Sequence, residues 1–307
     1  MRKPELSGDK VVTLKLYGGL TSENILALRQ KNYERLVLND GEFDDLTCAS
    51  HIKHLHVTGA EFLNLDAFYV LNELESLFLS EGATFPKRSK LDFSHFKKLK
   101  KCTFTWSPNF TSSLFECPDL EVLTIHKYKS DDLVAIGERA KKLKYLELCH
   151  GNVKTLDGIE LLRQLTDFRV SYLSKLENVA ALAQLPHLKH LELNSSKYVQ
   201  DLNFLYALAQ LQELVLGECL TLSDLNFLSY LTELEIFICS ANIINQNFEM
   251  LAALKKLRAA NFILLRNYQW TKQQWQQAFS GADAEFNVNI FLEGSVEQTI
   301  EIKRVSQ

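Results

Sequence analysis

Histidine is the side chain best suited to hold a metal or move a proton near neutral pH. Three of the chain's eight histidines fall in one run, His51-Ile52-Lys53-His54-Leu55-His56. Residues two apart on a strand share a face, so His54 and His56 could chelate together. No carboxylate or cysteine at a matching place in neighbouring segments completes a site. The run therefore reads as surface histidines, with a metal-binding or catalytic use of His51–His56, or of the C-terminal segment, as the alternative. Cys149-His150 could suggest an activated thiol, but adjacent strand residues point to opposite faces. The six cysteines (Cys48, Cys102, Cys117, Cys149, Cys219, Cys239) stand singly, without a C-x-x-C pair. No G-x-G-x-x-G, G-x-x-x-x-G-K-[ST], G-x-S-x-G or H-E-x-x-H occurs. The expectation is a non-enzyme with no catalytic residue, no metal and no cofactor.

Charge narrows the partners. Lys and Arg number 34 against 38 Asp and Glu, a net of −4, which gives no general attraction to nucleic acid or anionic lipid. Residues 1–10 hold no apolar run of the secretory kind, and no apolar window of about 18 residues could span a membrane. Reduced thiols in a cytoplasmic protein are the expectation.

Any such side chains need elements to place them, and the leucines supply these. They number 54 of 307 residues, in a chain too long for one ordinary core. Leu188-x-x-Leu191-x-Leu193 and Leu211-x-x-Leu214-x-Leu216 share one frame. Anchored on its second position, the frame recurs at Leu14, Leu36, Leu55, Leu77, Cys102, Leu123, Leu146, Phe168, Leu191, Leu214, Leu234 and Leu257, at a mean step of about 22 residues. The period-2 part is a short strand. The apolar residues recurring every three, such as Leu202, Leu205 and Leu208, suit a helical or 3₁₀ return. Neither half buries its apolar face alone, so stacking is required.

With these frames the chain resembles the leucine-rich-repeat superfamily, and its most regular stretch, Leu202–Ile236, is similar to the bacterial and phosphatase-regulator type. The resemblance covers about residues 10–265. It implies an α/β solenoid of about 12 repeats over 1–266, with a curved parallel sheet on the concave face and helices or 3₁₀ turns on the convex face. Three residues after the last strand leucine the family places asparagine; here stand Gly19, Gly41, Ala60, Gly82 and others. Irregular turns and uneven curvature are therefore expected. Thr21–Lys31, Ser130–Lys142 and Asn245–Lys256 read as α-helical returns, and Pro86–Lys90 as a loop. Trp270-Thr271-x-x-Gln274-Trp275 reads as a capping box with a tryptophan staple. Alternation in Phe286–Leu292 and Val296–Ile302 makes a β-hairpin. Residues 267–307 thus read as a C-terminal cap.

The resemblance implies contact through the concave face. Its later repeats carry Tyr145, Glu147, Asp167, Arg169, Tyr172, Glu192, Glu213, Glu218, Glu233, Glu235 and Phe237. Aromatic anchors beside charge of one sign suit a protein interface. The expected function is a non-catalytic protein-interaction scaffold, a regulator or inhibitor, meeting a basic segment of its partner.

Overall fold

Leucines two apart in a short extended segment form one buried stripe, and the residues between them form the opposite face. The computed structural model describes residues 11–107, 112–217, 221–245, 247–264, 272–278, 286–292 and 295–302. The chain divides into two compact units, residues 1–125 and 126–307.

In the first unit, strands Thr13–Leu16, Arg35–Leu38, His54–Val57, Ser76–Leu79 and Lys101–Thr105 pair in chain order, all parallel. Leu14, Leu36, Leu55, Leu77 and Cys102 stand opposite one another. Behind the sheet, Phe62, Phe68, Phe85 and Phe96 pack ring against ring at 5.0–5.5 Å. Thr21 caps the helix Ser22–Arg29 by accepting the Asn24 amide. At Gly41 and Gly82, where the family pattern has asparagine, the turns come together through bare backbone. A Cβ on Gly82 would lie 2.2 Å from Thr58 O, so only glycine fits there.

In the second unit, strands Tyr145–Cys149, Asp167–Ser171, His190–Asn194, Glu213–Leu216, Ile236–Cys239 and Ala259–Leu264 form the parallel ladder. Phe286–Leu292 continues it in parallel, and Ser295–Ile302 pairs antiparallel to that strand. Helix Lys272–Ala278 precedes them and buries Trp275 against Phe248 at 4.8 Å. Trp270 and Thr271 lie outside the described residues. Four of the unit's returns are tight and alike. Asn178, Asp201, Asp224 and Asn247 each accept, through the side chain, the amide two residues on, at 2.8–3.0 Å. Each of these bonds opens a five-residue 3₁₀ turn. The regular α-helices read from the sequence here are therefore shorter. Val134–Arg139 is the helical part of Ser130–Lys142, with the Asp132 side chain rather than Ser130 at its start. Within Asn245–Lys256 the helical part is the 3₁₀ segment Glu249–Ala253.

The strand anchors are correct through Leu214 and wrong after it. Leu214 stands opposite Phe237, and Phe237 opposite Ala260, not Leu234 and Leu257. Leucines that recur every three residues along the return, Leu228, Leu231 and Leu234, reproduce the L-x-x-L frame three positions early. A slip of three is odd, so it exchanges the two faces of the strand.

Since Leu191 is fully buried in the ladder, Leu191→Ala should lower the unfolding free energy by about 3 kcal/mol. Asp224→Ala, which removes a turn cap, should lower it by about 1 kcal/mol. Urea titration followed by circular dichroism measures both.

Candidate functional site

Registers fix which side chains share the solvent face of the second unit. One row runs Tyr145, Asp167, His190, Glu213, Ile236 and Ala259. The next, two residues along each strand, runs Glu147, Arg169, Glu192, Val215, Ile238 and Asn261. At about 4.8 Å per strand these rows cross roughly 24 Å.

The acidic end is a network. The Tyr145 hydroxyl donates to Glu147 Oε2 at 2.9 Å, and the Arg169 guanidinium lies 5.6 Å above the Tyr145 ring. Burial, reinforced by the Glu147 carboxylate, pushes the Tyr145 phenol up. His190 Nδ1 lies 2.8 Å from Asp167 Oδ1. The ring nitrogen meets no fully aligned acceptor among the described residues, and the contact is an ion pair when the imidazole is protonated. Asp167 also accepts from Thr166 Oγ1 at 2.6 Å. Burial opposes the Asp167 carboxylate, but the His190 contact, the Thr166 hydroxyl and the Arg169 charge outweigh it and hold the carboxyl low. Contact with Asp167 raises His190 against its own burial, with Glu213 adding to the rise. Burial pushes the Glu192 carboxyl up, Arg169 pulls it down, and Glu147 and Glu213 raise it further.

Rim residues follow the strands. Lys127, His150, Tyr172 and Ser195 adopt left-handed backbone with φ of 60°, 54°, 58° and 51°, an uncommon conformation for side chains larger than glycine. There the exposed Tyr172 stacks on His150 at 4.7 Å and 2°.

The structure thus brings together Tyr145, Glu147, Asp167, Arg169, Glu192 and Glu213, with Tyr172 at the rim. Glu218 lies outside the described residues. The three-residue slip moves the remaining candidates off this face. Phe237 is fully buried, edge-on to Phe262 at 5.6 Å. Glu233 and Glu235 precede the strand, where Glu233 pairs with Lys256, and Glu235 with Arg258 at 2.5 Å. In their place the face carries Ile236 and Ile238, which the leucine frame alone does not reveal. The capping residues Asn178, Asp201, Asp224 and Asn247, spaced evenly by 23, are the signal that fixes this register.

In the first unit His54 and His56 share the outward face of their strand, and His56 stacks on Phe78 at 4.0 Å. His51 lies instead on the return side, in a cleft with Asp44, Asp45 and Cys48. Among the described residues no three His, Cys, Asp or Glu side chains gather as a metal site.

The backbone has solved counterparts. It is similar to the crystal structure of an internalin, InlF, of Listeria monocytogenes, with a TM-score of 0.64 and 18% identity, over 92% of this chain and 82% of that one. It is also similar to internalin C2 of Listeria monocytogenes, with a TM-score of 0.42 and 20% identity over 57% and 73% of the two chains. The functional domain of InlJ from Listeria monocytogenes matches with a TM-score of 0.47 and 17% identity, over 75% and 53%. Neither a family model nor a curated protein sequence matches the chain. The long ladder of short parallel repeats and the InlF likeness give the chain the leucine-rich-repeat fold.

The Asp167–His190 contact has a pH window. A raised His190 contributes stability fully below the ordinary histidine value of about 6.5 and loses it as pH rises through the folded value. A lowered Asp167 contributes above about 3.9 and loses it as pH falls through its depressed value. Asp167→Asn should shift the His190 titration, followed by imidazole NMR, downward. It should also flatten the loss of stability between about pH 6 and 8. An unmoved titration removes the ion pair from the account.

Proposed function

We propose that the chain is a non-catalytic scaffold, a regulator or inhibitor, that binds a partner protein across the outward face of residues 145–261 through a basic segment of that partner. The observation that carries the reading is a contrast in how carboxylates are paired. Along the edge where the strands begin, Glu34 meets Lys53 at 2.9 Å and Glu75 meets Lys100 at 2.8 Å, Glu73 holds Lys98 just before it, and on the return side Asp131 holds Lys154 at 2.9 Å. On the outward face Glu192 and Glu213 have no cation within ion-pair distance among the described residues, and Glu192 sits where burial disfavours its charge. A cation brought by a partner would supply what the molecule itself supplies at the edge.

Residues 267–307 serve in this reading as the cap of the solenoid, supported by Phe286–Leu292 pairing alongside Ala259–Leu264. The cytoplasm is the proposed location. Burial keeps Cys117 and Cys239 protonated, with thiols pushed up to about 12, and such thiols are poor partners for disulfide exchange.

Hexalysine binding followed by calorimetry at low salt tests the charge reading. The double variant Glu192→Lys/Glu213→Lys should lose binding by at least about tenfold, and added salt should weaken the wild type. Glu235→Lys, at a carboxylate already paired, should leave binding within about twofold. Undiminished binding in the double variant overturns the acidic face as the site.

A further inference from the structure

The outward face is two surfaces joined in one register. Four strands carry charge: Glu147, then Asp167 with Arg169, then His190 with Glu192, then Glu213. From Glu213 onward the same rows turn apolar, through Val215, Ile236, Ile238 and Ala259, until Asn261 ends the second row. All four of these apolar side chains stay partly exposed. The change falls at one strand, Glu213–Leu216, which carries Glu213 on the acidic side and Val215 on the apolar side.

Two observations give the arrangement meaning. Glutamates bordering the apolar end, Glu233 and Glu235, are neutralised by Lys256 and Arg258, so neither leaves a free negative charge beside Ile236 and Ile238. At the other end the carboxylates Glu192 and Glu213, without a cation at ion-pair distance among the described residues, lie beside Glu147, whose charge disfavours ionisation of Glu192. Electrostatics therefore favours cations at one end, and burial of apolar surface favours aliphatic groups at the other. A chain lying across the strands at about 3.3 Å per residue covers the roughly 24 Å span with about seven or eight residues.

We infer that the face recognises a short peptide segment of fixed polarity, with lysine or arginine side chains over Glu147, Glu192 and Glu213 and aliphatic side chains over Val215, Ile236 and Ile238. This rests on the proposed protein-binding use of the same face and names the chemistry of the segment it takes. The order of residues in the partner, and not its composition alone, sets affinity.

Two peptides of one composition test it with the full chain: KKKKSLLL, with separate blocks, and KLKLKLKS, with alternating order. Calorimetry at low salt should give at least about tenfold tighter binding of the block peptide. Ile236→Lys/Ile238→Lys should erase that preference while circular dichroism stays unchanged. A block peptide bearing a photo-crosslinker at its leucine end, used on the wild type, should label residues 213–261 on the apolar side and not 145–169. This holds the test open if the double variant fails to fold. Equal affinity for the two peptides, or labelling at 145–169, overturns the fixed polarity while leaving the acidic face in place. Failure of both peptides to bind overturns the acidic face itself.

Discussion

Parallel pairing at a constant register is the constraint on which every other feature of this chain rests. Each strand is only four to six residues long in the repeats, and its side chains alternate between core and solvent. An odd slip in any pairing would bury the glutamates of that strand and expose its leucines, at a desolvation penalty far above what so short a ladder could absorb. The backbone holds the register through repeated acceptors just before each strand. Lys144 O takes the amides of Thr166 and Asp167, Thr166 O those of Lys189 and His190, and Gln212 O those of Glu235 and Ile236. In four repeats the side-chain caps then turn the backbone onto the return path at the same point.

Because the register is fixed, charge is handled differently in different places. Where strands begin, neighbouring repeats offer opposite charges, and Glu34, Lys53, Glu75 and Lys100 pair across them. Each such exposed pair contributes little to stability, but together they neutralise that edge. On the outward face the molecule satisfies Asp167 with His190 and Glu147 with Tyr145, while Glu192 and Glu213 meet no cation at ion-pair distance among the described residues. The proposed function depends on that difference, more than on the total of acidic residues.

Much of this was legible in the sequence, and the exceptions have a common physical origin. Anchors from Leu14 to Leu214 located strands, because leucines spaced by two can share one buried face only when the backbone is extended. The helix at Lys272–Ala278 and the hairpin after it were legible from their own local patterns. The slip at Leu234 and Leu257 arose because a 3₁₀ return also spaces its leucines by three, and leucine is the same signal in both settings. Phe237 and Cys239 carry the strand there instead, so the most leucine-like frame was the wrong one. Side-chain caps discriminate better, since aspartate or asparagine two residues before a turn amide has one role in this geometry. The ion pairs across repeats were not legible at all: partners 19 to 25 residues apart become neighbours only once the register is known.

The returns take different forms while the strands do not. Ser22–Arg29 is an eight-residue helix, Asp66–Tyr69 a single turn, and Asn226–Tyr230 a 3₁₀ segment, yet the strands they connect stay in step. Within each unit the returns can therefore absorb changes in length that the strand ladder never registers. Duplicating one repeat of about 23 residues would widen the outward rows by about 4.8 Å and keep every existing side chain on its own face. A chain built this way can gain recognition surface by copying itself, one strand at a time, without redesigning its core.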